Sequence, residues 1–187
     1  MIKELYVKNM VCDRCIKVLS TELQVEGIRI LEIRLGKIRL EYNPEQDERL
    51  LGVLKDEGFS LITSPQMQLV EEVKIELIKL TKNLPVKLNK NLSSYLEKKL
   101  NHEYSKISKV FSATEKVTIE KYFIRLKTER VKELIERMEY NFTQISQLLD
   151  YGSLNHLSGQ FKNETGMSLT EYKEQRNYLR NSLDKII

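Results

Sequence analysis

The 187-residue chain has no tryptophan, two cysteines, three prolines and seven glycines. So few prolines and glycines exclude a collagen-like or low-complexity chain. With only Cys12 and Cys15 available, disulfides cannot hold the fold, and a reduced, cytoplasmic setting is the expectation. No apolar run approaches the ~18 residues of a membrane span, so no membrane partner is expected. Met1-Ile2-Lys3-Glu4-Leu5 has neither the apolar stretch nor the cleavage site of a secretory leader. There is no phosphate-cradling glycine loop, no nucleophile–base pair and too little glycine for a cofactor crevice. The chain is therefore read as a non-enzyme. What is present is ordinary globular composition, 41% hydrophobic and 31% charged, at a length that allows one or two domains.

The charge is unevenly spread. Residues 1–64 carry ten Lys/Arg against eleven Asp/Glu, and residues 65–187 carry 21 against 16. A near-neutral part followed by a net +5 part reads as two units with different partners, the basic one suited to nucleic acid. Glycine marks the same division. Gly27, Gly36, Gly52 and Gly58 precede Pro65, and the next glycine is Gly152. The expected domains are 1–64 and 65–187.

The first part alternates. Leu31, Ile33 and Leu35, then Ile38, Leu40 and Tyr42, flank Gly36 with charged residues between them, which predicts a hairpin with one buried face. Leu5 and Val7 suit an earlier strand. Ile16, Leu19 and Leu23 recur at helical spacing, in a helix read as starting at Cys15. Asn43-Pro44-Glu45 is a helix start, Leu50, Val53 and Leu54 continue it, and Gly58 is placed to end it. Phe59, Leu61 and Thr63 make a last strand. The order βαββαβ is the ferredoxin-like arrangement, so the fold class expected is α+β, with an all-α second domain.

That second domain repeats itself at an offset of 50, without gaps: Asn91–Phe123 lies over Asn141–Lys173. Asn91/Asn141, Ser108/Ser158, Phe111/Phe161 and Tyr122/Tyr172 are identical. Asn91 and Asn141 are natural N-caps. Leu92, Tyr95, Leu96 and Leu100 line a helix face in the first copy, and Phe142, Ile145 and Leu149 in the second. After a polar break at Asn101-His102 or Tyr151-Gly152-Ser153, a second short helix follows, with Ile107 and Phe111 or Leu157 and Phe161 inward. Two short, tightly joined helices form a helix-turn-helix, whose second helix can enter a major groove. A long helix carrying Ile119, Tyr122, Phe123, Leu126, Val131, Leu134, Ile135 and Met138 joins the copies. A terminal helix begins at the capping box Ser168-Leu-Thr-Glu171 and carries Leu169, Tyr172, Leu179 and Leu183. An opening helix, Met67 to about Lys82, carries Val70, Val73, Leu77 and Leu80, and Pro85 breaks the chain after it.

Phe161-Lys162-Asn163-Glu164-Thr165-Gly166-Met167-Ser168-Leu169-Thr170-Glu171-Tyr172 resembles the signature that follows the second recognition helix of AraC-type transcription regulators. The resemblance covers about residues 66–176 and implies two helix-turn-helix units joined by one long helix, binding double-stranded DNA. The first copy departs from it, with Ser112 opposite Lys162 and Lys116 opposite Gly166. In the second, Asp150 stands where Gly is usual and Gly159 where a basic residue is frequent. In the first part, Met10-Val11-Cys12-Asp13-Arg14-Cys15 and Gly58-Phe59 resemble a heavy-metal-associated domain, with Val11 in place of the usual Thr. That resemblance implies a soft-metal site at Cys12 and Cys15.

The N-terminal half of a second helix faces base edges, which nominates Tyr104, Ser105, Lys106 and Lys109, and Ser153, Leu154, Asn155, His156 and Ser158. Asn pairs with adenine and Lys donates to guanine. Lys162 and Lys173 are expected at phosphates, which position without specifying. The competing reading of all of them is a solvated helix face. His102 and His156 lie in or beside these helices, as nucleic-acid contacts or as surface histidines.

Cys12 and Cys15 present both sulfurs to one side of a helix start, where thiolates are favoured, with Arg14 adding to this. Two thiolates suit Cu(I) or another soft ion, whereas Zn(II) wants four ligands. Three readings stand: a soft-metal site, a redox pair, and an inert pair with Cys15 packed as a small apolar residue. Met10 is read as a core residue in preference to a third ligand. A metal shared between the cysteine pairs of two chains would make a homodimer. The leading function is a sequence-specific transcription regulator with a sensor or docking module. The alternative is a metallochaperone or metal-transfer protein whose helical half binds a protein.

Overall fold

The computed structural model describes residues 1–88, 91–175, 180–183 and 186. It is α+β, a four-stranded antiparallel sheet with helices followed by a helical region. The chain packs as two units, Met1–Ile75 and Glu76–Ile187, and the division falls inside one helix, α3 (Pro65–Lys82). Among the described residues no helix is long and apolar enough to cross a membrane.

In the first unit, β1 (Ile2–Lys8), β2 (Ile30–Arg34), β3 (Lys37–Glu41) and β4 (Ser60–Ile62) lie in the order β2-β3-β1-β4. Leu5 sits opposite Ile38, and Val7 opposite Leu61. Alternation sends Leu5, Val7, Ile38 and Leu40 to one face, where they meet Leu19 and Leu23 of α1 (Asp13–Val25) and Leu50 and Leu54 of α2 (Asp47–Asp56). Each such side chain contributes roughly 1.5–3 kcal/mol by leaving water. Met10 is fully buried in this cluster, as assigned.

Four expectations for this unit are corrected. Leu31 is 40% exposed rather than inward, because a bulge between Ile30 and Glu32 breaks the alternation, and Ile30 and Ile33 pack instead. The last strand stops at Ile62, leaving Thr63 outside it. Asn43-Pro44 opens a short 3-10 turn, Pro44–Gln46, capped by the Asn43 side chain, before α2 begins. The first helix starts at Asp13, with Cys12 as its N-cap residue.

Two glycines are required by the backbone here. Gly58, at φ +77, ends α2 as expected; its N–H donates to the Lys55 carbonyl, and that of Phe59 to the Leu54 carbonyl. Gly36, at φ +73, turns the hairpin, and a Cβ there would run into Cδ1 of Ile75. Left-handed backbone costs other residues roughly 1–2 kcal/mol, and the close approach adds to that.

In the second unit the offset of 50 is a structural repeat. α4 (Leu92–Leu100) and α5 (Tyr104–Glu115) correspond to α7 (Phe142–Leu148) and α8 (Leu154–Thr165). α6 (Ile119–Arg137) and α9 (Leu169–Glu174) follow each pair. The caps repeat as well. Asn91 accepts from the Ser94 N–H and Asn141 from the Gln144 N–H, both at 2.9 Å. Lys116 and Gly166 end the second helices in left-handed conformation. Phe111 and Phe161, at most 1% exposed, face Tyr122 and Tyr172 with ring centres 5.7 and 5.5 Å apart.

Here too the structure corrects the sequence reading. Met138 is the left-handed residue that ends α6 and is 67% exposed, so it does not continue the inner face. Tyr95 is only half-buried, and its hydroxyl donates to Glu76. α9 stops at Glu174 because Gln175 is extended, so Leu183 lies beyond it, and Leu179 falls outside the described residues.

Candidate nucleic-acid interface

Each helix pair holds its second helix by burying one side of it. In α5 the inward residues are Ile107 and Phe111, and in α8 they are Leu157 and Phe161. The opposite sides stay open. Ser105, Lys106 and Lys109 are exposed on α5, and Asn155, His156 and Lys162 on α8. Spacings of three and four put Asn155, Ser158, Gly159 and Lys162 on one face of α8, and Ser105, Ser108, Lys109 and Ser112 on the matching face of α5. The cations are therefore staggered: Lys109 stands where the second copy has Gly159, and Lys162 where the first has Ser112.

The structure does not leave every nominated residue equally free. Tyr104 is half-buried, its hydroxyl donating to Glu120, which pushes its pKa far up after burial itself. Its backbone N–H donates to the Glu97 carboxylate at 2.8 Å. Ser153 is the N-cap of α8, its hydroxyl accepting from the His156 N–H at 3.1 Å. Leu154 and Ser158 are half-buried. Lys173 is exposed, with its ammonium 5.8 Å from the Phe142 ring centre. His102 is exposed in the turn before α5.

One set of residues escaped the sequence reading altogether. Lys127, Thr128, Glu129 and Lys132 lie buried on α6. Glu129 accepts from Lys132 at 2.6 Å and from the backbone N–H of Asn181 at 2.9 Å. Charged residues at these spacings read as a solvated face, and nothing local reveals that Asn181 returns to this helix. Lys121 of α6 also reaches Glu164 of α8 at 2.5 Å, tying the second helix of that pair to the long one.

The cysteine pair lies in the first unit. The sulfurs of Cys12 and Cys15 are 3.1 Å apart, and both residues are half-buried. Met10 and Val11 before them are core residues. The expectation of a favoured thiolate is corrected at Cys15. Burial, and then the Cys12 thiol, push the Cys15 thiol above its usual range, against two backbone hydrogen bonds that favour the thiolate. Arg14 is exposed. Among the described residues no three His, Cys, Asp or Glu are gathered into a metal-binding group. Two thiols of one chain fit a two-coordinate soft ion, and a four-ligand zinc site would need Asp13, water or a second chain to complete it.

No curated protein and no solved structure matches this chain. Residues 96–175, running from within α4 to the end of α9, match the family model of a helix-turn-helix domain, a DNA-binding module.

Proposed function

We propose that this protein is a sequence-specific transcription regulator of the AraC type, reading double-stranded DNA with α5 and α8. The observation that carries the reading is the repeat: two helix pairs with the same first-helix asparagine caps and the same inward positions, lying for the most part within the matched helix-turn-helix region. The 19 residues of α6 span about 28 Å at the rise of an α-helix, on the scale of one duplex turn of ~34 Å. Ser105, Lys106 and Lys109 on α5, and Asn155, His156 and Ser158 on α8, face bases; Lys162 and Lys173 meet phosphates. Tyr104, held by Glu120, and Ser153, which caps α8, position the helix starts.

The test is selection of duplexes from random sequence by the full chain. Lys106→Ala and Asn155→Ala are expected to relax preference at different positions, each by roughly 1–3 kcal/mol. Lys162→Ala is expected to weaken all duplexes alike. A selected motif untouched by both of the first two variants would reject this placement of the reading helices.

In the first unit, the sheet order β2-β3-β1-β4 supports a ferredoxin-like fold of the heavy-metal-associated kind. Cys12 and Cys15 then form the site of a soft ion such as Cu(I), or a redox pair, whose state regulates DNA binding. A bound ion would hold the two sulfurs in one geometry, and ions shared by two chains would make the homodimer. Because the Cys15 thiol must lose its proton, metal affinity is expected to rise with pH up to and beyond the ordinary thiol range. Competition with a Cu(I) chelator is the measurement. Identical curves for the wild type and Cys12→Ser/Cys15→Ser would remove the metal from this reading. A chain that binds Cu(I) but no DNA would favour the metal-transfer alternative.

A further inference from the structure

Three side chains, from the long helix α6, the turn between α7 and α8, and α8 itself, touch in a row. Lys127, midway along α6, is 8% exposed and sets its ammonium 3.6 Å from the centre of the Tyr151 ring. Tyr151, in the turn between α7 and α8, is buried, and its ring meets that of His156 at 85° with centres 5.4 Å apart. His156 is the third residue of α8 and is exposed on its surface.

Packing alone does not call for a lysine there. Burying an ammonium is costly, and the residue 50 positions earlier, Leu77, is apolar and fully buried. The same offset pairs Tyr151 with Asn101 and His156 with Lys106. The first copy therefore presents a flexible, charged lysine at this point of its reading helix. The second presents a short imidazole with an aromatic ring against it. The turn is shaped to support that ring. Asp150 is left-handed at φ 56, the Tyr151 N–H donates to the Ser146 carbonyl at 2.9 Å, and the Asp150 carboxylate favours the charged form of Lys127. Burial brings the pKa of that lysine down to about 8, against the Asp150 carboxylate.

We propose that Lys127 and Tyr151 are positioning residues for His156, and that His156 is a specificity-determining side chain of the second helix pair, reading one motif position. The cation holds the face of Tyr151, and the tyrosine ring fixes the direction of the imidazole before DNA arrives. The imidazole N–H fits the N7 acceptor that both purines present in the major groove. The proposal rests on the DNA-binding reading above.

The experiment is random-sequence selection by the full chain at fixed salt, with melting curves for each variant. It is joined by the nuclear magnetic resonance of the His156 ring in the DNA-free protein. His156→Ala should erase a purine preference at one motif position, about a tenfold loss in discrimination. Tyr151→Leu and Lys127→Met should flatten the same position and leave those read by α5 unchanged. Tyr151→Phe and Lys127→Arg, which keep the ring and the cation, should restore it. In free protein the His156 ring signals should lose their Tyr151-induced displacement in Tyr151→Leu. If Tyr151→Leu does not fold, Lys127→Met decides, since methionine fills the same buried space without charge. A folded Lys127→Met that keeps the preference His156→Ala loses would overturn the proposal, as would an unchanged motif in His156→Ala. A wild-type chain that selects no sequence would overturn the DNA-binding reading, and this inference with it.

Discussion

Phe161→Ala is expected to destabilise the helical unit by about 3–5 kcal/mol, the cost of removing a large ring from a packed core. Phe161 is 1% exposed and meets Tyr172 edge-on, so its removal opens a cavity between α8 and α9 that neither short helix can refill. A loss of that size is a large share of the ~5–15 kcal/mol that keeps a domain folded. Phe111→Ala removes the equivalent contact with Tyr122 and is expected to cost as much in the first copy. Together they should leave the unit unfolded at ambient temperature. Urea unfolding followed by circular dichroism measures each. A cost below ~1 kcal/mol for either variant would mean that its ring does not anchor the second helix of its pair.

The second large effect is on DNA affinity through salt. If both helix pairs dock, the exposed lysines and the helix N-termini are expected to make about six phosphate contacts in all. Counterion release then gives a slope near −0.9 per contact in a plot of log affinity against log salt. Between 50 and 200 mM salt, the expected loss is about a thousandfold. Lys162→Ala should reduce the slope by about one, because Lys162 is exposed on the outward face of α8. Lys106→Ala should alter sequence preference as well as affinity. An affinity independent of salt would mean that the basic helical unit does not bind duplexes by its charge, and would favour a protein partner.

Much of the helical unit was legible because its signals are local. N-caps, the hydrophobic period and the polar breaks each depend on a few neighbouring residues. A repeat doubles every such signal, so Asn91 and Asn141, or Ile107 and Leu157, corroborate one another. The misreadings have physical causes. Leu31 obeys the alternation of its neighbours, but the bulge that turns it outward is set by the pairing with β3. Met138 keeps the period of α6, yet it falls where the helix ends in a left-handed residue. Cys15 has the sequence position of an activated thiol, but burial and the Cys12 thiol outweigh the backbone hydrogen bonds that favour the thiolate.

The sequence by itself determined the order of elements, the offset of the repeat, the inward positions of the second helix in each pair and the nomination of the outward faces. All of these follow from periodicity, capping chemistry and charge along short stretches of chain. Only the tertiary structure decided which of the nominated residues are already engaged. Tyr104 is held by Glu120, and His156 stands against Tyr151 with Lys127 behind it. Those partners lie from five to nearly thirty residues away in sequence, on other helices and turns. A side chain's freedom to bind depends on what the fold brings to it, and for polar groups on helices that information is non-local.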